Sequence, residues 1–271
     1  MSAGEDSLGA PGVLGETEPK FHVVETEDEM GRPAKGLARA VSNNTSDDSV
    51  RPILVDFLSG KMRHRLRPGA DHEFLVKAIG LKKSDRVEAS GRPVLVCDFT
   101  AGLGTDAFLM AQAGFQVVAF ERDPLVYALL LDGLKRYRAH ESELGLKPIG
   151  LEFRQADVAL TDVAQRKAFA ERLELDFGRR PYAVVLDPMF EEGNTKTKSK
   201  PKKEMATFRE MLHPSSESEL RCLLETALQV GERRVLVKRP VGALPISGDI
   251  RPLNRREAKT AAYDVYACRE V

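Results

Sequence analysis

Two short stretches of this chain carry residue types and spacings that can do chemistry. In the first, Asp98 is followed by Gly102, Gly104 and Asp106, and Glu121 closes the next apolar run. The two glycines permit a tight turn and a close approach of the backbone to a ligand. An acid at the tip of the second strand of a strand–loop–helix–strand unit accepts hydrogen bonds from both hydroxyls of a ribose, so the unit suits a nucleoside-containing ligand. A dinucleotide fingerprint needs G-x-G-x-x-G, and here Asp106 and Ala107 interrupt it. A carboxylate in that loop repels a pyrophosphate and suits a ligand without phosphate, or one with a positive charge. The plainer account is a glycine turn in an α/β enzyme with another ligand. In the second stretch, Asp187-Pro188-Met189-Phe190 directly follows the apolar run Tyr182–Leu186. There the Asp187 carboxylate and a backbone carbonyl can accept the two N–H bonds of an exocyclic amine, and Phe190 can stack on a base. A strand-ending Asp-Pro turn is the plainer account.

The elements that must position these residues follow from the apolar pattern. Val94–Val96 is a continuous apolar run, as for a strand covered on both faces. Ala107–Ala113 is a helix former stopped by Gly114, and Val117, Val118 and Phe120 make the next strand. Asp123 caps a helix with Pro124 in its first turn and a buried stripe at Leu125, Leu129, Leu130, Leu134 and Tyr137. A weaker third strand, Leu151–Arg154, is followed by Asp157, which either holds an adenine amino group or caps a helix; Val163–Leu175 is helical. Glu217–Val230 is a helix and Val235–Val237 a fifth strand, ending in Lys238-Arg239-Pro240. Residues 241–258 read as loop, and Tyr263–Cys268 alternates as a final, antiparallel strand. Upstream, Ile53–Leu58 reads as a strand, and Asp71–Gly80 as a short amphipathic helix with Asp71 as its cap. The expected organisation is a flexible N-terminus (1–20), a small β-rich appendage (21–60) and an α/β domain over 61–271.

Composition narrows the class. With 42% hydrophobic and 30% charged residues over 271, the chain has ample core for a globular protein. The formal net charge of +0 argues against a generally basic nucleic-acid coat but leaves room for local basic patches. Two such patches stand out. Lys61, Arg63 and Arg65 lie in K-M-R-H-R-L-R, and Lys196, Lys198, Lys200, Lys202 and Lys203 crowd the segment after Asp187. Either is a solvated charge run or a strip that contacts phosphates. Cys97, Cys222 and Cys268 lie far apart without C-x-x-C, so neither a disulfide framework nor a metal site is expected. No run approaches a membrane span, and a cytoplasmic enzyme is the expectation.

The motifs also carry a resemblance. D-x-x-x-G-x-G with an acid ending the next strand resembles the S-adenosylmethionine (SAM) site of Rossmann-like methyltransferases. The cationic sulfonium and ammonium of SAM suit Asp98 and Asp106. Asp187–Phe190 resembles the Asn/Asp-Pro-Pro-Tyr/Phe motif of methyltransferases acting on base amino groups, with Met189 in place of the second proline. Further stretches are I-L-V-D-F-L-S-G (53–60), L-V-K-A-I-G-L-K (75–82), E-R-D-P-L-V-Y-A-L-L-L-D-G-L (121–134), P-K-K-E-M (201–205), V-L-V-K-R-P (235–240) and Y-D-V-Y-A (263–267). With them the chain is similar to the bacterial SAM-dependent methyltransferases that modify a guanine N2 of 16S ribosomal RNA, the RsmJ type.

The resemblance implies a mostly parallel Rossmann-like sheet whose last strand is antiparallel, SAM as cofactor, and 16S rRNA or the 30S subunit as partner. It places Thr105, Asp106, Glu121, Arg122, Asp157 and Asp187 at cofactor-contacting positions. In the implied reaction Asp187, Pro188 and Phe190 hold the acceptor base, while the basic strips, with Lys238 and Arg239, hold the RNA backbone. Two departures weaken particular assignments: Pro68-Gly69-Ala70 is all that stands for a glycine-rich stretch, and Ala156-Asp157 replaces small hydroxyl residues. Two other readings stay open. One is an amino-methyltransferase acting on adenine or cytosine in DNA. The other is a non-catalytic RNA-binding or assembly factor that keeps the fold without SAM.

Overall fold

The structure is a computed structural model and describes residues 21–41, 45–46, 51–189, 212, 214–246, 249–259 and 261–268. Its centre is a seven-stranded sheet. Four strands, β5 (Leu95–Asp98), β6 (Gln116–Glu121), β7 (Leu151–Gln155) and β8 (Ala183–Leu186), alternate with α3 (Thr105–Gln112), α4 (Pro124–His140) and α5 (Val163–Phe177). Then come α6 (Glu217–Val230), β9 (Arg234–Arg239), β10 (Asn254–Glu257) and β11 (Ala262–Ala267). In space the order is β10-β11-β9-β8-β5-β6-β7. β11 runs antiparallel to both its neighbours, and the β9-β8-β5-β6-β7 pairs are all parallel. The strand order therefore reverses between β5 and β8, which opens a crevice at their carboxyl ends.

Helices cover both faces, as continuous apolar strands require. Val96, Val117 and Val185 pack with α3, α4 and α2 (Phe74–Ile79) on one side. Leu95, Cys97, Val118 and Val184 pack with Leu173 of α5 and Leu220 and Leu224 of α6 on the other. Asp123 caps α4 as expected, accepting from the N–H groups of Leu125 and Val126 at 2.8 and 3.0 Å.

Three sequence expectations are corrected. Ile53–Leu58 is a strand only at β4 (Ile53–Leu54), because the Val55 carbonyl accepts from the Arg136 guanidinium instead of from a strand neighbour. The chain then turns, and Phe57 enters the core, stacked on Phe108 with centroids 4.5 Å apart. Asp71 caps no helix. It pairs with the buried guanidinium of Arg86, and α2 starts after Glu73. Within the expected loop 241–258, β10 forms an edge strand. Its N-R-R-E sequence has no apolar alternation, and Arg255 secures it through Asp264 of β11 at 2.7 Å.

Ahead of the main sheet, β1 (Phe21–Glu27), β2 (Pro33–Val41), β3 (Thr45–Ser46) and β4 form a small antiparallel sheet. It docks on α4 through a buried ionic knot: Arg136 meets Asp132 at 2.9 Å, Asp28 at 3.3 Å and Asp56 at 3.6 Å. The contact is close, since a Cβ on Gly133 would stand 2.5 Å from Val55 Cγ1 and 2.6 Å from its carbonyl oxygen. Gly133→Ala sets two effects against each other. Helix propensity gains about 1 kcal/mol, while overpacking against backbone costs about 1–3 kcal/mol. The expected outcome is a lower urea midpoint; an unchanged or raised midpoint would show that residues 53–58 yield without cost.

Candidate active site

The reversal of strand order brings three acids to one crevice. Asp98 ends β5 and is 2% exposed, and its Oδ1 accepts the Thr100 N–H at 3.0 Å. Burial pushes this carboxyl up to about 7, and the neighbouring Asp106 and Asp187 carboxylates add to the rise. After Asp98 the chain still bonds to both neighbouring strands. Phe99 N–H donates to the Val185 carbonyl at 3.0 Å, and Ala101 N–H to the Phe120 carbonyl at 2.9 Å. The glycine loop is thus held over the gap between β6 and β8.

Glu121 staples that loop. Its Oε2 accepts the Gly102 N–H and its Oε1 the Asp123 N–H, both at 2.9 Å. Each carboxylate oxygen can accept more than one hydrogen bond, so acceptor capacity remains for a ligand. Burial raises the Glu121 carboxyl above its ordinary value, and these backbone donors oppose the rise. The glycines differ in their reasons. Gly102 has φ +51, and a Cβ there would meet only the Thr100 carbonyl oxygen, at 3.9 Å. Gly104, at φ +73, has its Cα hydrogen against the core: a Cβ there would lie 2.7 Å from Leu130 Cδ2 and 3.0 Å from Phe57 Cζ.

Asp106 sits in the first turn of α3, with Thr105 just before it. Asp187 follows β8, and its N–H donates to the Thr100 hydroxyl at 2.6 Å. Pro188 beside it is buried. Lys238, near the end of β9, reaches across to both acids, with Nζ 2.6 Å from Asp187 Oδ2 and 2.9 Å from Asp106 Oδ2. Directly opposite Lys238 on β11 is Tyr263, which is buried and packs on Phe74 at 5.4 Å.

The remaining expected residues scatter around this centre. Arg122 is exposed and pairs with Glu219 of α6. Asp157 is exposed and accepts the Ala159 N–H at 3.0 Å in a tight turn, while Asp162 provides the cap of α5. Lys61, Arg63 and Arg65 lie on a helix, α1 (Gly60–Leu66), capped by Ser59. Arg65 is tied to Glu73 by two hydrogen bonds of 2.8 Å, and Lys238 is held by two acids, so both cations are already neutralised. Arg239 donates to the Leu244 carbonyl. Lys61, Arg63, His64 and Arg67 are exposed, with no carboxylate paired to them among the described residues, and the last three line an open cleft with Gly60. Phe190, Lys196, Lys198, Lys200, Lys202 and Lys203 lie outside the described residues. Sequence reasoning passed over Thr100 and Tyr263, whose importance is purely spatial. No group of three or more acidic, histidine or cysteine side chains suited to a metal occurs among the described residues.

Comparisons place this geometry. Residues 32–268 match a family model described as putative SAM-dependent methyltransferase. The ribosomal RNA small subunit methyltransferase J of Thioalkalivibrio sulfidiphilus is 35% identical over 232 residues, 85% of this chain and 81% of that protein. The protein of the same name from Chromohalobacter salexigens is 39% identical, over 81% of this chain and 78% of its own. Among solved structures, a SAM-dependent methyltransferase from Neisseria gonorrhoeae superposes with a TM-score of 0.59 at 24% identity, covering 94% of this chain and 86% of that one. The likeness confirms the Rossmann-like α/β class.

The raised Asp98 carboxyl gives a pH prediction. The native chain keeps a proton up to about 7 that the unfolded chain gives up near 3.8. Stability contributed by this group therefore falls as pH rises through that window. Asp98→Asn removes the titration, so between pH 5 and 8 its melting temperature should fall less than that of the wild-type protein. Parallel thermal melts would overturn the assignment.

Proposed function

The chain belongs to the family of ribosomal RNA small subunit methyltransferase J, SAM-dependent enzymes, and from that premise we propose that it methylates the exocyclic N2 of a guanine in small-subunit rRNA. The observation that carries this reading is the juxtaposition of Asp187-Pro188 with Asp98, Asp106 and the Glu121-held loop at the reversal point of the sheet. The Asp106 and Asp187 carboxylates face a single ammonium, with Asp98 titrating near 7 beside them, so the crevice keeps a surplus of negative charge. That suits a ligand with a sulfonium and an ammonium, so the residues present fit SAM.

In this reading the spare acceptor capacity of Glu121 takes the ribose hydroxyls, Asp98 and Asp106 face the cationic end, and Gly102 leaves room for close approach. Thr105, Arg122 and Asp157 border the rest of the cofactor. SAM supplies a methyl group on positively charged sulfur, which leaves as neutral thioether when the new N–C bond forms. The guanine amine is a weak nucleophile because its lone pair is delocalised into the ring. The protein's main contribution is alignment, which can lower the barrier by about 7–11 kcal/mol at best. Asp187 orients the amine through one N–H and takes the proton released after transfer, and the Pro188 carbonyl accepts the other N–H. Phe190 stacks on the base, a contact of about 1–3 kcal/mol in comparable single-strand sites. A base inside a helix cannot reach this pocket, so it must be flipped or already exposed. The cations of α1 and its C-cap, Lys61, Arg63 and Arg67 with His64, which pair with no carboxylate among the described residues, hold the RNA backbone. The segment bearing Lys198, Lys200, Lys202 and Lys203 is assigned the same role. The substrate is taken to be 16S rRNA, free or within the 30S subunit, in the cytoplasm. No helix among the described residues is long and apolar enough to cross a membrane.

Tritiated SAM, the purified protein and 30S subunits from a strain lacking this gene test the reading. Label should appear as N2-methylguanosine. Label on adenine or cytosine would move the chemistry to another base, and absence of SAM binding would overturn the cofactor site. Asp187→Ala should abolish transfer while SAM affinity weakens only in part, and full activity in that variant would remove Asp187 from the mechanism. Replacing Arg63 and Arg67 by Glu should weaken RNA binding and reduce its salt dependence, by about one unit of slope per lost phosphate contact. SAM affinity should stay unchanged, and an unaltered salt slope would place the RNA elsewhere.

A further inference from the structure

We propose that Lys238 is a positioning residue for methyl transfer, its ammonium locking the Asp187 carboxylate in the orientation that receives the acceptor amine. The inference rests on the role given to Asp187 above. Asp187 is fixed at two points: its backbone N–H donates to the Thr100 hydroxyl at 2.6 Å, and its Oδ2 lies 2.6 Å from Lys238 Nζ. The same ammonium reaches Asp106 Oδ2 at 2.9 Å, so it is anchored from the first turn of α3 as well. A carboxylate held at one oxygen leaves the other to face the crevice, and the Asp187 side chain is half-buried there.

The surroundings leave Lys238 no other task. The charged and titratable groups facing it are Asp98 from β5, Asp106 from α3, Asp187 after β8 and Tyr263 from β11. The Arg65–Glu73 pair beside them is closed on itself. Burial alone would lower the Lys238 ammonium, but Asp187 and Asp106 together hold it above its ordinary value. It therefore stays protonated at working pH and does not act as a base. Two of its three N–H donors are engaged by acids, which makes it a poor phosphate contact. For Asp187 the balance runs the other way. Burial raises its carboxyl, Asp106 adds to the rise, and Lys238 is the cation that opposes both. Without Lys238, Asp106 and Asp187 would repel each other, and a proton taken up by Asp187 would turn the needed acceptor into a donor.

The test compares Lys238→Gln and Lys238→Arg in single-turnover methyl transfer to 30S subunits at saturating SAM, from acid to alkaline pH. SAM affinity is measured by calorimetry. In Lys238→Gln the rate at neutral pH should fall on the order of 10²-fold, and the acid limb of the profile should move to higher pH. SAM should bind at least as tightly as in the wild-type protein, because a cation has been removed from the site of a cationic ligand. Lys238→Arg should return the limb to its place and recover most of the rate. An unmoved acid limb in Lys238→Gln would overturn the proposal, as would a loss expressed only as weaker RNA binding with a lower salt slope. If Lys238→Gln lost its thermal transition, Lys238→Arg would decide: an unmoved limb with the rate within about tenfold of wild type supports the role, and a loss as deep as that of Asp187→Ala refutes it. Asp187→Ala run alongside separates the two claims. If it is active, the role of Asp187 fails; if it is inactive while Lys238→Gln behaves as wild type, only the role of Lys238 fails.

Discussion

The arrangement depends on one constraint, the reversal of strand order between β5 and β8. Parallel strands point their carboxyl ends the same way, and a reversal leaves the loops after two adjacent strands diverging to opposite sides. Asp98 and Asp187 stand at those two ends, on strands paired Asp98 to Val185 and Leu186 to Val237. That register also brings Lys238 alongside, one position beyond Val237. Acids that are 89 residues apart in the chain thereby share one crevice with a lysine from a third strand.

Placing acids this close has an electrostatic cost, and the structure meets it locally. Asp98 is buried far enough that its carboxyl is raised to about 7. Asp106 and Asp187 share one ammonium. Glu121 is satisfied by two backbone N–H groups and in return holds the glycine loop. Functional geometry and the discharge of repulsion are here the same set of contacts. A cationic ligand would relieve the excess further, which is why the surplus of carboxylates favours a sulfonium compound over a phosphate.

The small N-terminal sheet bears on the site through α4 and the segment after β4. Arg136 gathers Asp28, Asp56, Asp132 and the Val55 carbonyl. That knot sets the path of residues 55–59, from which Phe57 stacks on Phe108 of α3 and Ser59 caps α1. The exposed basic face of α1 is therefore positioned relative to the crevice by this knot.

Much of this was legible in the sequence, and the reasons are local. A continuous apolar run means a covered strand, a glycine pair after an acid means a tight loop, and Asp-Pro after an acidic strand end means a helix start. Each is dictated by the residues themselves, and β5, β6, α4 and the antiparallel β11 follow. The motif Asp187-Pro188 was visible for the same reason. What the sequence could not determine were pairings at a distance. Asp71 looks like a cap until Arg86 claims it. Ile53–Leu58 looks like a strand until Arg136 takes the Val55 carbonyl. The edge strand β10 has no apolar pattern and exists because β11 offers an open edge and Asp264 an ion pair. Lys238 reads as one more surface cation beside Arg239, and only the packing of β9 against β8 turns it toward two carboxylates. Propensity and apolar period are properties of neighbours in the chain, whereas the partner of a charge is decided by which strands lie side by side.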